Sequence, residues 1–306
     1  MKGDSASANH TPDELLSAVR QFVDAQTGES PFLTAIDGLA ILRSNHGRKP
    51  SHLVFRPSLC LVVQGKKQTM FGSKRFEYRA GQALVVNVEL PAVSQVMDAS
   101  PMQPYLAVAL EFDLAVMREV LETLETLPDI QNEASGSVFV ADIAGPLTNT
   151  LLRMLQLLQT PRAISALSPL LTRELYYWLL SGPHGARVAS IALSGSHTQR
   201  VISAIHQLRE RFAAPIRVGE LADSAQLSPS AFHRQFKALT DMTPLQYQKQ
   251  LRLLEARRLM ISGEMNAETA SYTVGYESPS QFSREYARLF GNAPRRDVVA
   301  FRAQVA

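Results

Sequence analysis

Hydrophobic and polar positions recur along this chain with more than one period, and each period marks a different kind of element. Near the start, Leu15, Leu16, Val19, Phe22 and Val23 fall three or four apart, the spacing of an amphipathic helix. Thr11-Pro12-Asp13-Glu14 supplies its N-cap and first turn, and Gly28 its end. Residues 1–11 are polar and expected to fray. From Gly38 the runs shorten and become β-branched: Leu39–Arg43, Leu59–Gln64, Lys67–Phe71, Arg75–Tyr78, Gln82–Val88, Ala92–Val96 and Tyr105–Glu111, with Gly65, Gly72, Gly81, Pro91 and Pro101 at or near their boundaries. Short, evenly spaced strands of this kind predict a small sandwich or barrel. Leu114–Leu124, Ile143–Leu158 and Leu167–Leu180 return to helical spacing with wide apolar stripes. Leu151, Leu152, Leu155 and Leu158 with Tyr176, Tyr177 and Trp178 offer more apolar surface than one small barrel covers. That surplus suggests a protomer interface, although the same helices could simply pack on the barrel. Ser181–His197, rich in glycine and small residues, reads as an interdomain linker.

The last third of the chain repeats itself. Ser228-Pro229-Ser230-Ala231-Phe232-His233-Arg234-Gln235-Phe236 returns fifty positions later as Ser278-Pro279-Ser280-Gln281-Phe282-Ser283-Arg284-Glu285-Tyr286, and the copies stay in register to Pro244 and Pro294. Serine caps a helix by accepting an orphan backbone N–H, and proline fits the next position because its missing N–H is not needed there. Phe232, Phe236 and Leu239, like Phe282, Tyr286 and Leu289, fall at i, i+4, i+7 and predict one buried stripe. Ser230, His233, Arg234 and Lys237 then face outward in the first copy, and Ser280, Gln281, Arg284 and Arg288 in the second. Each copy follows a short helical segment and a turn, Val218–Ala225 with Gln226-Leu227, and Ala267–Thr273 with Gly275-Tyr276. That order is helix-turn-helix. Donor-rich exposed faces suit base edges and phosphates; an arginine on a helix more often marks only a solvated face, and Arg234 or Arg284 could instead pair with a neighbouring carboxylate. The agreement of caps, spacing and both turns favours the nucleic-acid reading. Between the copies, Pro244–Ile261 predicts a connecting helix of about 27 Å, against about 34 Å between successive major-groove faces.

These residues resemble the C-terminal domain of the AraC/XylS transcriptional regulators. The likeness rests on the doubled unit, on Pro244-Leu245-Gln246-Tyr247 and Leu251-Arg252-Leu253-Leu254-Glu255-Ala256-Arg257, and on Val274-Gly275-Tyr276-Glu277-Ser278 through Phe282-Ser283-Arg284 to Phe290-Gly291-Asn292-Ala293-Pro294. It covers Thr198 to Arg302. Gln226 and Asp241 depart from it, standing where the family usually places glycine, and Ala270-Ser271 replaces a bulkier pair, which makes the second unit the expected weaker one. The resemblance implies that Ser228, Ser230, His233, Arg234 and Lys237, with Ser278, Ser280, Gln281, Arg284 and Arg288, meet double-stranded DNA, while Arg252, Arg257 and the helix N-termini hold phosphates. It also implies a homodimer and a small-molecule effector, with RNA polymerase as a further partner and activation the commoner outcome.

Tyr78-Arg79-Ala80-Gly81-Gln82-Ala83-Leu84-Val85-Val86 is similar to the glycine-marked turn into a cupin strand, and Pro57-Ser58-Leu59-Cys60-Leu61-Val62-Val63-Gln64-Gly65 to an effector-domain strand of one AraC/XylS subgroup. The expected fold class is therefore α+β in two domains. A cupin-like β-barrel with flanking helices occupies residues 1–180, and two helix-turn-helix units joined by a long helix occupy 198–302. Arg56, Cys60, Gln64, Asn87 and Glu89 are the candidate effector contacts. A cupin-type metal enzyme with an accessory DNA-binding tail is the alternative. It needs a histidine cluster, yet neither His46 nor His52 lies within an expected strand, so neither a catalytic residue nor a metal or cofactor is assigned.

Composition and charge fit this division. The chain has 306 residues, 45% of them hydrophobic, enough for two cores. Its net charge of +3 hides an asymmetry: from His197 onward 15 Lys and Arg stand against 10 Asp and Glu, so the basic end is the one expected to meet a polyanion. One cysteine excludes an internal disulfide and a cysteine-based zinc site and points to a reducing compartment. No segment reads as a membrane span or, at the acidic N-terminus, as a signal peptide, so the cytoplasm is expected.

Overall fold

The computed structural model describes residues 10–28, 30–47, 50–128, 136–192 and 197–305. Most of the tail expected to fray, residues 1–9, lies outside them. The contacts group the chain into two compact units, one of residues 1–51, 55–89 and 93–199, the other of 52–54, 90–92 and 200–306.

Among the described residues ten strands build the first half: β1 Phe32–Leu33, β2 Leu39–Ser44, β3 Ser51–Phe55, β4 Ser58–Gln64, β5 Lys66–Phe71, β6 Lys74–Arg79, β7 Gln82–Val86, β8 Leu90–Asp98, β9 Tyr105–Glu111 and β10 Val138–Asp142. They form a six-stranded sheet, β1-β2-β9-β4-β7-β10, and a four-stranded one, β3-β8-β5-β6. The arrangement expected as a cupin-like barrel is thus built as two sheets. Residues paired across antiparallel strands share a face, so Leu39, Leu110, Leu59, Val85 and Phe139 form one continuous row across the larger sheet. Val85 and Phe139 line a cavity together with helical residues, which makes this the helix-covered face. The opposite face carries Cys60, Leu84 and Ala109. Burial on both faces is why the run Leu59–Val62 is apolar without alternation.

Helices α1 His10–Asp24, α2 Leu114–Glu122, α3 Pro146–Leu157, α4 Pro161–Ser181 and α5 Gly185–Ala192 complete this half. Five elements differ from expectation. β1, of two residues, is too short to stand out, and β3 and β10, of five each, are too plain in pattern. α4 starts at Pro161, six residues before the expected Leu167, and runs through Pro169. The stretch expected as a linker, Ser181–His197, holds α5, whose Val188, Ala189, Ile191 and Ala192 are buried; residues 193–196 of it lie outside the described ones. Small residues that resemble a flexible linker here serve close packing.

The second half is helical: α6 His197–Glu210, α7 Val218–Ser224, α8 Pro229–Thr240, α9 Pro244–Ile261, α10 Ala267–Thr273, α11 Pro279–Phe290 and α12 Pro294–Val305. Five of these follow the expected boundaries within a residue or two. α6 and α12 are additions. Val201, Ile202, Ile205 and Leu208 form a buried stripe on α6 at helical spacing, a signal present in the sequence.

One tie in the first half generates a measurable expectation. The start of α2 is fastened to α4 by the Asp113 backbone N–H, which donates to the Tyr176 hydroxyl at 2.7 Å. Burial pushes the Tyr176 phenol up to about 12, so it stays neutral. Tyr176→Phe orphans that N–H and is expected to lower stability by about 1–3 kcal/mol, read from urea unfolding; an unchanged midpoint would remove the tie from the account.

Candidate nucleic-acid interface

The two helix-turn-helix units match bond for bond. In the first, the Leu227 N–H donates to Ala222 O and the Gln226 N–H to Asp223 O, both at 2.9 Å; in the second, Tyr276 donates to Ser271 O and Gly275 to Tyr272 O, again both at 2.9 Å. This is the Schellman closure of α7 and of α10, and it requires a left-handed residue after the helix. Gln226, with φ of 55°, and Gly275, with φ of 88°, fill that role. Ser228 and Ser278 then cap α8 and α11, accepting from the N–H of Ala231 and Gln281. Asp241 and Gly291 close the same helices in left-handed conformation. Gln226 and Asp241 thus adopt the backbone shape that glycine has at the matching positions of the second unit.

Phe232 and Phe236 of α8, and Phe282 and Tyr286 of α11, are completely buried. Their rings stack within each helix at centroid distances of 5.6 and 5.5 Å. Burying this stripe turns the other face outward. Ser230, His233, Arg234 and Lys237 of α8 are exposed, as are Ser280, Gln281, Arg284 and Arg288 of α11. The side chains of His233, Arg234, Lys237, Arg284 and Arg288 make no hydrogen bond or ion pair with any described residue, so their donors are unspent. Gln281 and Ser230 are exceptions in part: the Gln281 amide donates to Glu285 at 3.4 Å, and the Ser230 hydroxyl shares a hydrogen bond with that of Ser228 at 3.3 Å. Ser228 and Ser278 are committed to capping.

Helix α9 serves both units. Its Tyr247 meets Phe236 edge-to-face at 5.6 Å. Leu253, Ala256, Leu259 and Met260 join Ala270, Val274, Tyr276, Phe282 and Tyr286 in one core. Apolar residues on opposite sides of one helix are what two partners demand. A capping box between Thr243 and Gln246 starts it.

The expectation that Arg252 and Arg257 contact phosphate is corrected, because both guanidinium groups are bonded to protein groups. Arg252 donates from Nε to Phe212 O at 2.8 Å, from Nη1 to Gly275 O at 2.8 Å, and from Nη2 to Ala213 O and Ala214 O at 3.0 and 3.1 Å. Burial pulls its pKa down from the usual arginine value, though a guanidinium remains a cation. Gln248, one turn earlier, donates to Phe212 O and Ala214 O at 2.7 and 2.6 Å. Arg257 grips Asp297 of α12 at 2.7 and 3.3 Å, and the Tyr286 hydroxyl donates to the same carboxylate at 2.7 Å. Arg302 of α12 donates to Met260 O at 3.1 Å, serving the open end of α9. Gln248, Asp297 and Arg302 were not singled out in the sequence. Nothing there separates an arginine that turns inward from one that turns out, except its place relative to the apolar stripe.

The five candidate effector contacts are dispersed in role. Arg56 pairs with Glu111 at 3.1 Å, both well exposed. Gln64 donates to Pro104 O at 2.6 Å and accepts from Arg20 at 2.6 Å. Cys60 is buried, and burial pushes its thiol up, opposing the reactivity a sensor needs. Glu89 is buried. Asn87 donates to Arg187 O at 2.7 Å, tying the end of β7 to α5. Among the described residues no three His, Cys, Asp or Glu side chains converge as a metal site would require.

Comparison with known proteins places this geometry. Residues 35–187 match a family model described as the AraC-type transcriptional regulator N-terminus, and residues 221–297 match one described as a helix-turn-helix domain. The HTH-type transcriptional activator RhaS of Pectobacterium carotovorum is 34% identical over 102 residues, which are 33% of this chain and 37% of RhaS. The HTH-type transcriptional regulator CdhR of Pseudomonas aeruginosa is 30% identical over 103 residues, 34% of this chain and 31% of CdhR. The matches thus span about a third of the length of these curated relatives. Apo ToxT of Vibrio cholerae superposes with a TM-score of 0.53 at 10% identity, over 87% of this chain and 99% of that one. Unsaturated fatty acid bound ToxT does so with 0.55 at 10% identity, over 89% and 96%. At that identity the likeness is one of fold.

Backbone and side-chain tests follow from the paired turns. A Cβ on Gly275 would lie 1.9 Å from Ala213 O, so Gly275→Ala should destabilise by about 3 kcal/mol. Gln226→Gly should stabilise by about 1 kcal/mol by relieving the left-handed strain. Denaturant midpoints check both, and a neutral Gly275→Ala would contradict the close approach. Arg252→Ala should cost about 2–4 kcal/mol by stranding carbonyls, and lysine should not restore it. Arg234→Ala should stay within about 0.5 kcal/mol of the parent; a large loss there would mean that Arg234 is structural.

Proposed function

Because the chain belongs to the AraC-type transcriptional regulators, whose N-terminal model spans half of it, we propose that it binds specific DNA sites through α8 and α11 and answers to a small molecule held in its N-terminal half. The observation that carries the DNA reading is the pair of exposed helical faces on which His233, Arg234, Lys237, Arg284 and Arg288 have no protein partner among the described residues. Unpaired donors on a capped helix can neutralise phosphate and read the edges of bases in the major groove. Arg234 and Arg284 hold matching positions in the two copies and are the residues assigned to base contact. With Arg252 and Arg257 spent, the phosphate contacts fall to Lys237, Arg288 and the N-termini of α8 and α11.

Residues 1–180, continued by α5, are assigned to effector binding and dimerisation, and 198–302 to DNA. The surface suited to a second protomer is narrower than the helices suggested. Leu151, Leu152, Leu155 and Tyr176 are buried, whereas Leu167, Leu170 and Tyr177 of α4 are 45%, 61% and 44% exposed along one stripe. Activation, with RNA polymerase as a further partner, is the assigned output, supported by the likeness to the activator RhaS. The bound fatty acid in one ToxT structure supports a small-molecule ligand for the fold. No described helix is long and apolar enough to cross a membrane, and a cytoplasmic regulator is the reading adopted.

The test is a salt series on a selected duplex and a scrambled one. Specific binding should fall steeply with salt as counterions are released. Arg234→Ala should cost about 1–3 kcal/mol at one base position while leaving the scrambled duplex nearly unaffected. Equal loss on both duplexes would reduce Arg234 to a phosphate contact, and salt-independent binding would overturn the DNA reading.

A further inference from the structure

We propose that the cavity between β7 and β10 on one side and α3, α4 and α5 on the other is the effector site of this protein, and that it takes an uncharged molecule of one ring. Naming that molecule an effector rests on the regulator reading above, whereas its binding does not. The cavity has a volume of about 220 Å³. An apolar cavity of about 150 Å³ admits benzene, and drug-sized ligands need about 300 Å³ or more. One ring with a small substituent is the size that fits.

Its walls are hydrocarbon inside and aromatic at the opening. Val85 and Phe139 rise from the helix-covered face of the larger sheet, Ala141 follows on the same face of β10, and Leu179 and Val188 close over them from α4 and α5. All five are buried. The exposed linings Trp178 and Pro183 mark the opening, at the turn from α4 to α5. Gly182 permits that turn, since a Cβ there would lie 2.9 Å from Trp178 O. Trp178 is 37% exposed, an open position for an indole beside an apolar hollow. The His184 imidazole, also in the lining, stacks on Phe139 at 4.9 Å with a tilt of 44°. Flat aromatic walls suit a flat ring. None of the residues expected from the sequence to contact an effector lines this cavity.

The charges nearby disfavour an ion of either sign. The Arg187 guanidinium lies 4.0 Å over the Phe139 ring, so a cation held against that wall meets a like charge. An anion gains no partner in return. No lysine or arginine lines the cavity, and Arg187 Nη2 donates to Gly136 O and Val138 O, both at 3.2 Å. Asp142, the acidic residue at the margin, follows Ala141 and so points to the other face of β10, where its carboxylate accepts from Gln82 Nε2 at 3.0 Å. An ionised group enclosed without a partner is costly. The cavity therefore selects a neutral ring.

Trp178 is the single tryptophan of the chain, which makes its fluorescence a report on the opening of the site. The full chain is titrated with benzyl alcohol, benzylamine and benzoate, three molecules of similar size that differ in charge. A saturable change is expected with benzyl alcohol, tighter than with either ion by about tenfold or more, since each ion would be enclosed unpaired. Ala141→Leu, which fills the cavity from β10, should abolish the saturable change, and Val188→Phe should do the same from α5 in case the first variant fails to fold. A response that never saturates overturns the site, as does one that persists in a folded filled variant. Benzylamine or benzoate binding as tightly as benzyl alcohol overturns the ligand class, and this comparison needs no variant. Operator affinity measured with and without saturating benzyl alcohol tests the effector role: a change supports it, and no change overturns it. Failure to bind any operator in either condition would instead count against the regulator reading, leaving the fluorescence result standing.

Discussion

The DNA-binding half depends on one guanidinium. Arg252 projects from the middle of α9 and gives its donors to the carbonyls of Phe212, Ala213 and Ala214, which close α6, and to Gly275, the turn residue of the second helix-turn-helix. Those carbonyls have no helical partner of their own; Gln248 shares those of Phe212 and Ala214, whereas those of Ala213 and Gly275, left without Arg252 in a partly buried site, would each carry a desolvation cost. Only a planar fork of fixed geometry satisfies four of them at once. The same contact explains why position 275 must be glycine, because a side chain there would occupy the space taken by Ala213 O. Gln226 of the first unit keeps a side chain in the left-handed conformation, exposed and accepting from Arg200 Nη1 at 2.9 Å.

From this constraint follows a division of labour among residues of one type. Arginines 252, 257 and 302 point inward and fasten α9 to its neighbours, with Asp297 and Tyr286 completing the link to α12. Arginines 234, 284 and 288 stand opposite the buried phenylalanine and tyrosine stripes and keep their donors. The sequence distinguishes the two groups only where the stripe is unambiguous. On α8 and α11 a single apolar face fixes which side is out, and the outward residues were legible. On α9 both sides are buried, no face is defined, and two inward arginines looked like two outward ones.

The same logic governs the rest of the chain. Caps, prolines and the fifty-residue repeat are local signals, so α7 to α11 could be read directly, as could seven strands bounded by glycine or proline. β3 and β10 are likewise flanked, by Pro50 and Pro57 and by Gly136 and Gly145, so punctuation did not decide them; their place is set by pairing with distant strands. α5 looked like a linker because it is rich in glycine, alanine and serine, the residues that allow close approach to α4 and β7 as readily as they allow flexibility. The cavity between the larger sheet and the helices was illegible for a related reason: it is formed by residues of five elements, and Val85, Phe139 and Val188 are indistinguishable in sequence from ordinary core.

The central claim is that one protomer carries two outward-facing recognition helices, held by α9, that read one duplex together. Hydroxyl-radical and methylation-protection footprinting of a single protomer on its selected site tests it most directly. The account predicts two protected major-groove segments about 10 base pairs apart on one side of the helix, the second lost when Arg284 is replaced by alanine and the first when Arg234 is. One protected segment, insensitive to either substitution, would contradict it.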